Sequence, residues 1–200
     1  MAKYTGPKVR LSKRIGVALT PKAIKVMERR PGTPGQHKNA RRGKLSNFGE
    51  QLLEKQRLRF HYNISEKTLK RYFQKAKKKK GNTVDNLFQL LESRLDTLAL
   101  RAGFAPTIYA ARQLVSHGHL KVNGFKVNLP GFLVSDSDVV SISDKAKNIP
   151  FFQATFPSST APSYLEVDKA QGAVRFVKKP ERSEVPVQCE APLVVEYYSR

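Results

Sequence analysis

The first 80 residues carry 24 lysine and arginine side chains against four aspartates and glutamates, whereas residues 81–200 carry 13 against 12. Nearly all of the formal charge of +21 therefore belongs to the first two-fifths of the chain. A field of that density repels itself unless a polyanion neutralises it, so the charge split implies a nucleic-acid partner. It also limits the fold, because the first 45 residues hold little of the chain's apolar content. Other classes drop out on similar grounds. No apolar run approaches the ~18–20 residues of a membrane span, and no apolar h-region with a small-residue cleavage site follows the basic N-terminus. Cys189 is the only cysteine, which excludes an internal disulfide and fits a reducing compartment. One cysteine and four histidines are a poor donor set for structural zinc.

Residues 1–45 read as an extended basic segment. Prolines and glycines punctuate it, and PGTPGQH (31–37) excludes regular helix. Only residues 20–30 suit a short helix there, with Thr20 as N-cap and Pro21 at the first helical position. The segment reads either as a disordered tail or, since Ile15, Val17, Leu19, Ile24, Val26 and Met27 give it something to bury, as one that orders against a partner.

Helical periodicity follows. Asn47 and Glu50 resemble a capping box, and Phe48, Leu52, Leu53 and Phe60 form a partial stripe. Ser65 caps a helix through Leu69, Tyr72, Phe73 and Ala76, with Ile64 as a staple, which runs into Lys75 and Lys77–Lys80 and stops at Gly81. Residues 83–102 read as one helix ending at Gly103, and Thr107 caps another that ends at Gly118. Asn123-Gly124 between HLKV and FKVNL is a hairpin signal, since both turn residues must take positive φ. FLV (132–134) and VVSIS (139–143) add strands, so residues 91–143 read as two helices on a three- or four-stranded sheet. Residues 165–168 and 173–177 look like a further strand pair. LVVEYY (193–198) is strand by composition, although Pro192 could equally start a helix.

Candidate chemistry is sparse. His117 and His119 lack a third ligand at metal-binding spacing, and His37 and His61 are isolated in basic surroundings. Asp96 in Ser-Arg-Leu-Asp has the flanking residues of a pseudouridine synthase aspartate, yet it lies in an amphipathic pattern where a structural pairing is favoured. No nucleophile elbow, phosphate-cradling loop or dinucleotide fingerprint is present. What the chain does carry is charge interleaved with rings: Arg57, Arg59, Phe60, His61, Tyr62, Lys67, Lys70, Arg71, Tyr72 and Phe73. Cations bind phosphate and rings stack on unpaired bases. Arg41, Arg42 and Lys44 form a second basic cluster.

SRLDTLALRAGFAPT and AARQLVSHGHLKVNGFKVNLP, within 93–130, strongly resemble the small RNA-binding module named after bacterial small-subunit ribosomal protein four. The N-terminal MAKYTGPKVRLSKRIG, PGTPGQH, RRGKLSNFGEQLLEKQRLRFHYNISEKTLKRYF and the closing VVEYYSR extend the resemblance to that family over nearly the whole chain. The resemblance implies an α+β fold: a mainly helical basic domain with an extended N-terminal segment, plus an inserted small α/β RNA-binding module. The expected divisions are an RNA-ordered segment 1–45, a helical domain 46–92 rejoined by about 178–200, and the module with its following strands at 93–177.

It further implies a structural protein that binds the 5′ domain of small-subunit ribosomal RNA directly, nucleates subunit assembly and supports translational accuracy. It implies contact with ribosomal protein five and with messenger RNA near the channel through which it enters, and residence in the ribosome of the cytoplasm or of an organelle. Carried over by position, Arg94, Arg112, Gln113, His117, Gly118, His119, Lys121, Asn123, Gly124 and Lys126 form the module's RNA face. Arg57, Arg59, His61, Lys70, Arg71, Lys77 and Lys78 are the helical domain's candidates, and Arg41, Arg42 and Lys44 those of the messenger channel. Two departures from the family are visible. Val9 and Ser12 stand where some members place the first zinc-binding cysteines, so neither metal nor cofactor is expected. Ile108 and Tyr109 replace a basic pair after Thr107, which removes two phosphate contacts from that helix. An RNA-modifying enzyme built on the same module would need a catalytic domain that the residues after 150 are too few to supply, and a free RNA chaperone would not need the long basic N-terminus.

Overall fold

The computed structural model describes residues 4–35, 43–156 and 160–199. The chain divides into two compact units, one formed by residues 1–74 and 187–200 and the other by residues 75–186.

In the first unit, α1 (Lys8–Ile15) and α2 (Pro21–Arg29) are followed by α3 (Asn47–His61), by the start of α4 (Glu66–Lys78), and after a long excursion by α10 (Ala191–Ser199). α1 corrects the expectation of an extended segment. It ends on Gly16, whose φ of 73° only glycine adopts readily. The Ser12 hydroxyl donates to the Lys8 carbonyl at 2.9 Å and accepts the Leu19 amide at 3.2 Å, fixing the turn into α2. α2 starts as expected, with Thr20 accepting the Ala23 amide and Pro21 first in the helix. Leu11 and Ile15 are buried, and Arg57 of α3 donates from Nε to the Ile15 carbonyl at 2.8 Å. Residues 8–29 are therefore held by protein contacts, not by RNA alone.

α3 is capped by Ser46, which accepts the Gly49 amide, and not by Asn47 as the capping-box reading has it. Ser65 takes its expected place before α4, accepting the Thr68 amide. α10 settles the ambiguity at 193–198 as helix. Its residues Ala191 and Val194 are buried, and Glu196 accepts from Gln51 of α3 at 2.9 Å. Tyr198 stacks on Phe73 at 5.1 Å and donates to Glu66 at 2.6 Å. Packing along one helical face outweighs the β-branched content of Val194 and Val195.

The second unit contains the end of α4, then α5 (Thr83–Glu92), α6 (Leu95–Arg101) and α7 (Ile108–Ser116), five strands, the short α8 (Asp144–Lys147) and α9 (Pro150–Thr155), and a 3₁₀ turn at Arg182–Glu184. The strands β1 (Leu120–Val122), β2 (Phe125–Val127), β3 (Val140–Ile142), β4 (Leu165–Asp168) and β5 (Ala173–Phe176) make one antiparallel sheet in the order β2-β1-β3-β5-β4. The strand pair 165–177 thus extends the hairpin's own sheet. One face of it, with Leu120, Val122, Val140, Ile142, Val174 and Phe176, joins Leu95, Leu98, Ala111, Leu114 and Val115 in a continuous core.

Two further expectations are corrected here. The single helix read over 83–102 breaks at Ser93–Arg94, where Arg94 is extended (φ −72°, ψ 140°). FLV makes only an isolated bridge, Leu133 to Arg94. The two corrections have one cause. The Leu95 amide donates to the Phe132 carbonyl, the Asp96 amide to that of Pro130, and the Val134 amide to that of Ser93, so the turn after the hairpin displaces helical bonding at 93–96.

Ile15→Ala is expected to lower the stability of the protein by about 2–5 kcal/mol, as deletion of a buried aliphatic side chain generally does. A urea-unfolding midpoint unchanged by that substitution would show that α1 contributes nothing to the fold.

Candidate nucleic-acid interface

The hairpin is built from its turn outward. Asn123 and Gly124 take φ of 50° and 84°, the pair of positive values that lets two residues reverse a twisted ribbon. The resulting register sets Lys121 directly opposite Lys126 and Lys121 opposite Ser141 on the other flank. Like charges directly across a ladder are destabilising. Among the described residues, no carboxylate lies within ion-pair distance of either lysine. That is the arrangement expected of a surface completed by an external anion.

His119 immediately precedes β1, two residues before Lys121, and the Lys126 ammonium is near enough to lower its pKa. The His117 and His119 rings are 6.0 Å apart. Partial burial, the neighbouring His117 and the Lys126 ammonium all hold the His119 imidazole below its ordinary value of 6.5. Gly118 plays a different part from the close RNA approach expected of it. At φ 69° it ends α7, and the aliphatic stem of Lys126 crosses it so closely that a Cβ would stand 2.0 Å from Lys126 Cε. Gly118 therefore seats Lys126. Gly124, by contrast, has nothing within 4 Å of where its Cβ would be and stays open. The Asn123 amide is engaged in holding the turn: its Nδ2 donates to Asp138 at 2.8 Å and its Oδ1 accepts the Val139 amide at 2.9 Å.

The module also holds a buried charge cluster. Arg94 grips Asp96 with two parallel bonds, Nε to Oδ1 at 2.9 Å and Nη2 to Oδ2 at 2.6 Å. The Thr97 amide donates to Oδ1 at 3.0 Å, and Arg112 Nη1 stands 3.4 Å from Oδ2. Burial pushes the Asp96 carboxyl upward, and the two guanidinium groups and the amide oppose it. Arg94 is 2% exposed, which corrects its assignment to the contact surface: its guanidinium is directed at Asp96. Arg112, its side chain 12% exposed, shares that anchor and reaches the surface only at its tip. A parallel cluster joins Glu92 to Arg101 at 2.9 and 3.0 Å and to the Tyr164 hydroxyl at 2.9 Å, where burial and the facing carboxylate raise the phenol's pKa. Gln113 and His117 are exposed at the end of α7. Ile108 is buried, so a phosphate-binding side chain at that position would not have stood on the surface.

In the helical unit, Lys70 and Arg71 are exposed on α4. Arg57 and Arg59 are half-buried and have partners within the protein. Arg57 bonds the Ile15 carbonyl and pairs with Glu54, and Arg59 bonds the Ile64 carbonyl and Gln56 while lying 4.6 Å from the Phe60 ring centre. His61 is half-buried, edge-on to Tyr62. Lys44 is exposed before α3, whereas Arg41 and Arg42 lie outside the described residues. Further along the chain, Lys77 and Lys78 are exposed at the end of α4, where Asn86 donates to the carbonyls of Lys79 and Lys80 and so closes the helix. The lysine run is therefore not needed as its own cap.

Sequence reasoning missed Phe125. Alternation puts it with Val122 and Val127 on the apolar side of the hairpin, yet it is 78% exposed. Its position directly after the turn, on what proves to be an edge strand, was the available signal.

A family model described as the ribosomal protein S4/S9 N-terminal domain matches residues 3–92, and one described as the S4 domain matches residues 93–140. The small ribosomal subunit protein uS4 of Chlorobium phaeovibrioides is 46% identical, with all of both chains covered. Those of Micrococcus luteus and Streptomyces avermitilis are 48% and 45% identical, the former over 96% of this chain and 95% of its own, the latter over all of both. The chain belongs to the uS4 family. The boundary between the two uS4 models falls at the Ser93–Arg94 break, where the buried cluster begins.

Asp96→Ala leaves Arg94 buried without its partner and is expected to cost about 3–5 kcal/mol in urea unfolding. Stability equal to the wild type would remove the cluster from its anchoring role. His119 sets a second outcome. Its folded pKa lies below the unfolded value, so the unfolded chain takes up the proton more readily, and stability is lost as pH falls through about 6.5. His119→Gln is expected to flatten that part of the stability–pH curve, measured on the free protein.

Proposed function

We propose that the chain is a structural constituent of the small ribosomal subunit that binds its ribosomal RNA through the hairpin face and the basic surface of the helical unit. Membership in the uS4 family carries this reading, and it makes the chain a structural component and not an enzyme. The observation that joins family to geometry is the Lys121–Lys126 pair, two ammonium groups set across a ladder with His119 beside them and no carboxylate to neutralise them among the described residues. RNA phosphates complete that surface. Asp96, fully buried between two guanidinium groups, has no access to a substrate, which counts against the reading as an RNA-modifying enzyme. No helix among the described residues is long and apolar enough to cross a membrane.

The finer reading follows the family resemblance. The RNA is the 5′ domain of the small-subunit molecule, bound directly and early, so that the protein nucleates assembly and supports accuracy in the translating ribosome of the cytoplasm or of an organelle. In the module, Arg112, Gln113, His117, Lys121 and Lys126 make the contacts, with Gly118, Asn123 and Gly124 shaping the face and Arg94 positioning it. Lys70, Arg71, Lys77 and Lys78 supply phosphate contacts from α4. Ribosomal protein five is the neighbouring protein, and Arg41, Arg42 and Lys44 face messenger RNA where it enters.

Chemical footprinting of the full-length protein on naked small-subunit RNA, at moderate and high salt, tests this. A compact protected junction in the 5′ domain that survives high salt is expected; diffuse protection that disappears with salt would leave only nonspecific polyanion binding. Replacing Lys121 and Lys126 together by alanine is expected to weaken binding and to flatten the dependence of log K on log salt by about 0.7–0.9 for each phosphate the lysines neutralise.

A further inference from the structure

Phe125 is the most exposed large apolar side chain among the described residues, at 78%, and Leu129, two residues beyond the end of its strand, is 58% exposed. Neither exposure is explained by the core, the turn or the phosphate-binding face. We propose that Phe125 is a stacking platform for an unpaired nucleobase of the RNA bound by this hairpin, a site that rests on the RNA-binding reading above.

The argument begins with strand geometry. β2 is an edge strand, so no neighbour covers its outer side. Alternation places Phe125 on the face opposite Lys126, its neighbour in sequence, and the register puts Phe125 across from Val122. Val122 is 5% exposed and turns inward, while the ring of Phe125 stays in solvent. The edge strand thus carries a flat ring on one face and, on the other, the Lys126 side chain lying across Gly118. A single strand of nucleic acid following that edge offers both complements, phosphate for Lys126 and a base face for Phe125.

Charge selects this occupant over a protein surface of mixed composition. Between Asp96 and Asp136 the sequence contains no acidic residue, and its cations are Arg101, Arg112, Lys121 and Lys126. A partner with an anionic backbone and exposed aromatic faces fits both features. A phenylalanine ring has no polar tip to hydrogen-bond, so the contact reads the π-face of a base and tolerates any of the four.

The chain has no tryptophan, so Phe125→Trp creates a single fluorophore at the site. In the full-length protein, titration with small-subunit ribosomal RNA is expected to quench this indole at near wild-type affinity. A single-stranded oligonucleotide is expected to quench it where a blunt duplex of equal length does not. Phe125→Ala is expected to weaken binding to the ribosomal RNA about 5- to 100-fold, by loss of one stacked base, with an unchanged melting temperature because the ring is outside the core. Phe125→Tyr restores binding and Phe125→Leu does not. Full affinity in Phe125→Ala, full rescue by leucine, or an unquenched indole would overturn the platform. If binding still weakened on removal of Lys121 and Lys126 in that case, the RNA-binding reading would stand without it. Failure of the wild-type protein to bind the RNA at all would overturn both.

Discussion

Asp96 is fully buried with a guanidinium on either side, and the geometry of the module depends on that arrangement. The cost of removing an aspartate and an arginine from water is large, and only paired, well-directed hydrogen bonds offset it. Arg94 meets this requirement with a two-pronged grip, while the Thr97 amide and Arg112 add further bonds to the same carboxylate. Arg94 makes this grip from an extended backbone, at the point where the chain breaks between α5 and α6. The turn at Pro130–Gly131 then bonds to the exposed backbone of 95 and 96, with Gly131 admitting the Arg94 side chain. Helix break, post-hairpin turn and the footing of Arg112 thus meet at one buried carboxylate, where the turn's backbone bonds and the charge pairing hold the same geometry.

Charges in the interior and at the surface follow different rules. Under the module's surface, positive charge is matched: Arg94 and Arg112 by Asp96, Arg101 by Glu92. At the surface of the hairpin it is unmatched, and partial burial together with the neighbouring His117 and Lys126 lowers the pKa of His119. Matched charges set shape, and unmatched charges recruit the partner. The same division appears in the helical unit, where Arg57 and Arg59 bond to backbone carbonyls while Lys70 and Arg71 point outward.

Much of the fold was legible because the signals were local. Thr20, Ser65 and Thr107 cap the helices whose first residues they precede, and Asn123-Gly124 makes the turn that only positive φ allows. Features that depend on contacts distant in sequence were not legible. α1 looked like part of an extended arm because its stability comes from Leu11 and Ile15 against α3 and from Arg57 on its last carbonyl. Residues 193–198 looked as much like strand as helix until packing on α3 and Phe73 decided the matter. Among the site residues, composition could nominate every cation but could not sort them, since an arginine facing a buried aspartate and one facing solvent read alike in sequence.

The sequence by itself determined that this chain is a polyanion-binding protein with a hairpin-bearing module, because charge, capping residues and turn chemistry act within a few positions of one another. Tertiary structure alone decided which cations are available. Burial and pairing took Arg94 into the interior, gave Arg57 and Arg59 partners within the protein, seated Lys126 on Gly118, and left the ring of Phe125 in solvent on an edge strand. Availability depends on what stands across a cavity or along a sheet edge, and those neighbours come from parts of the chain that no local pattern brings together.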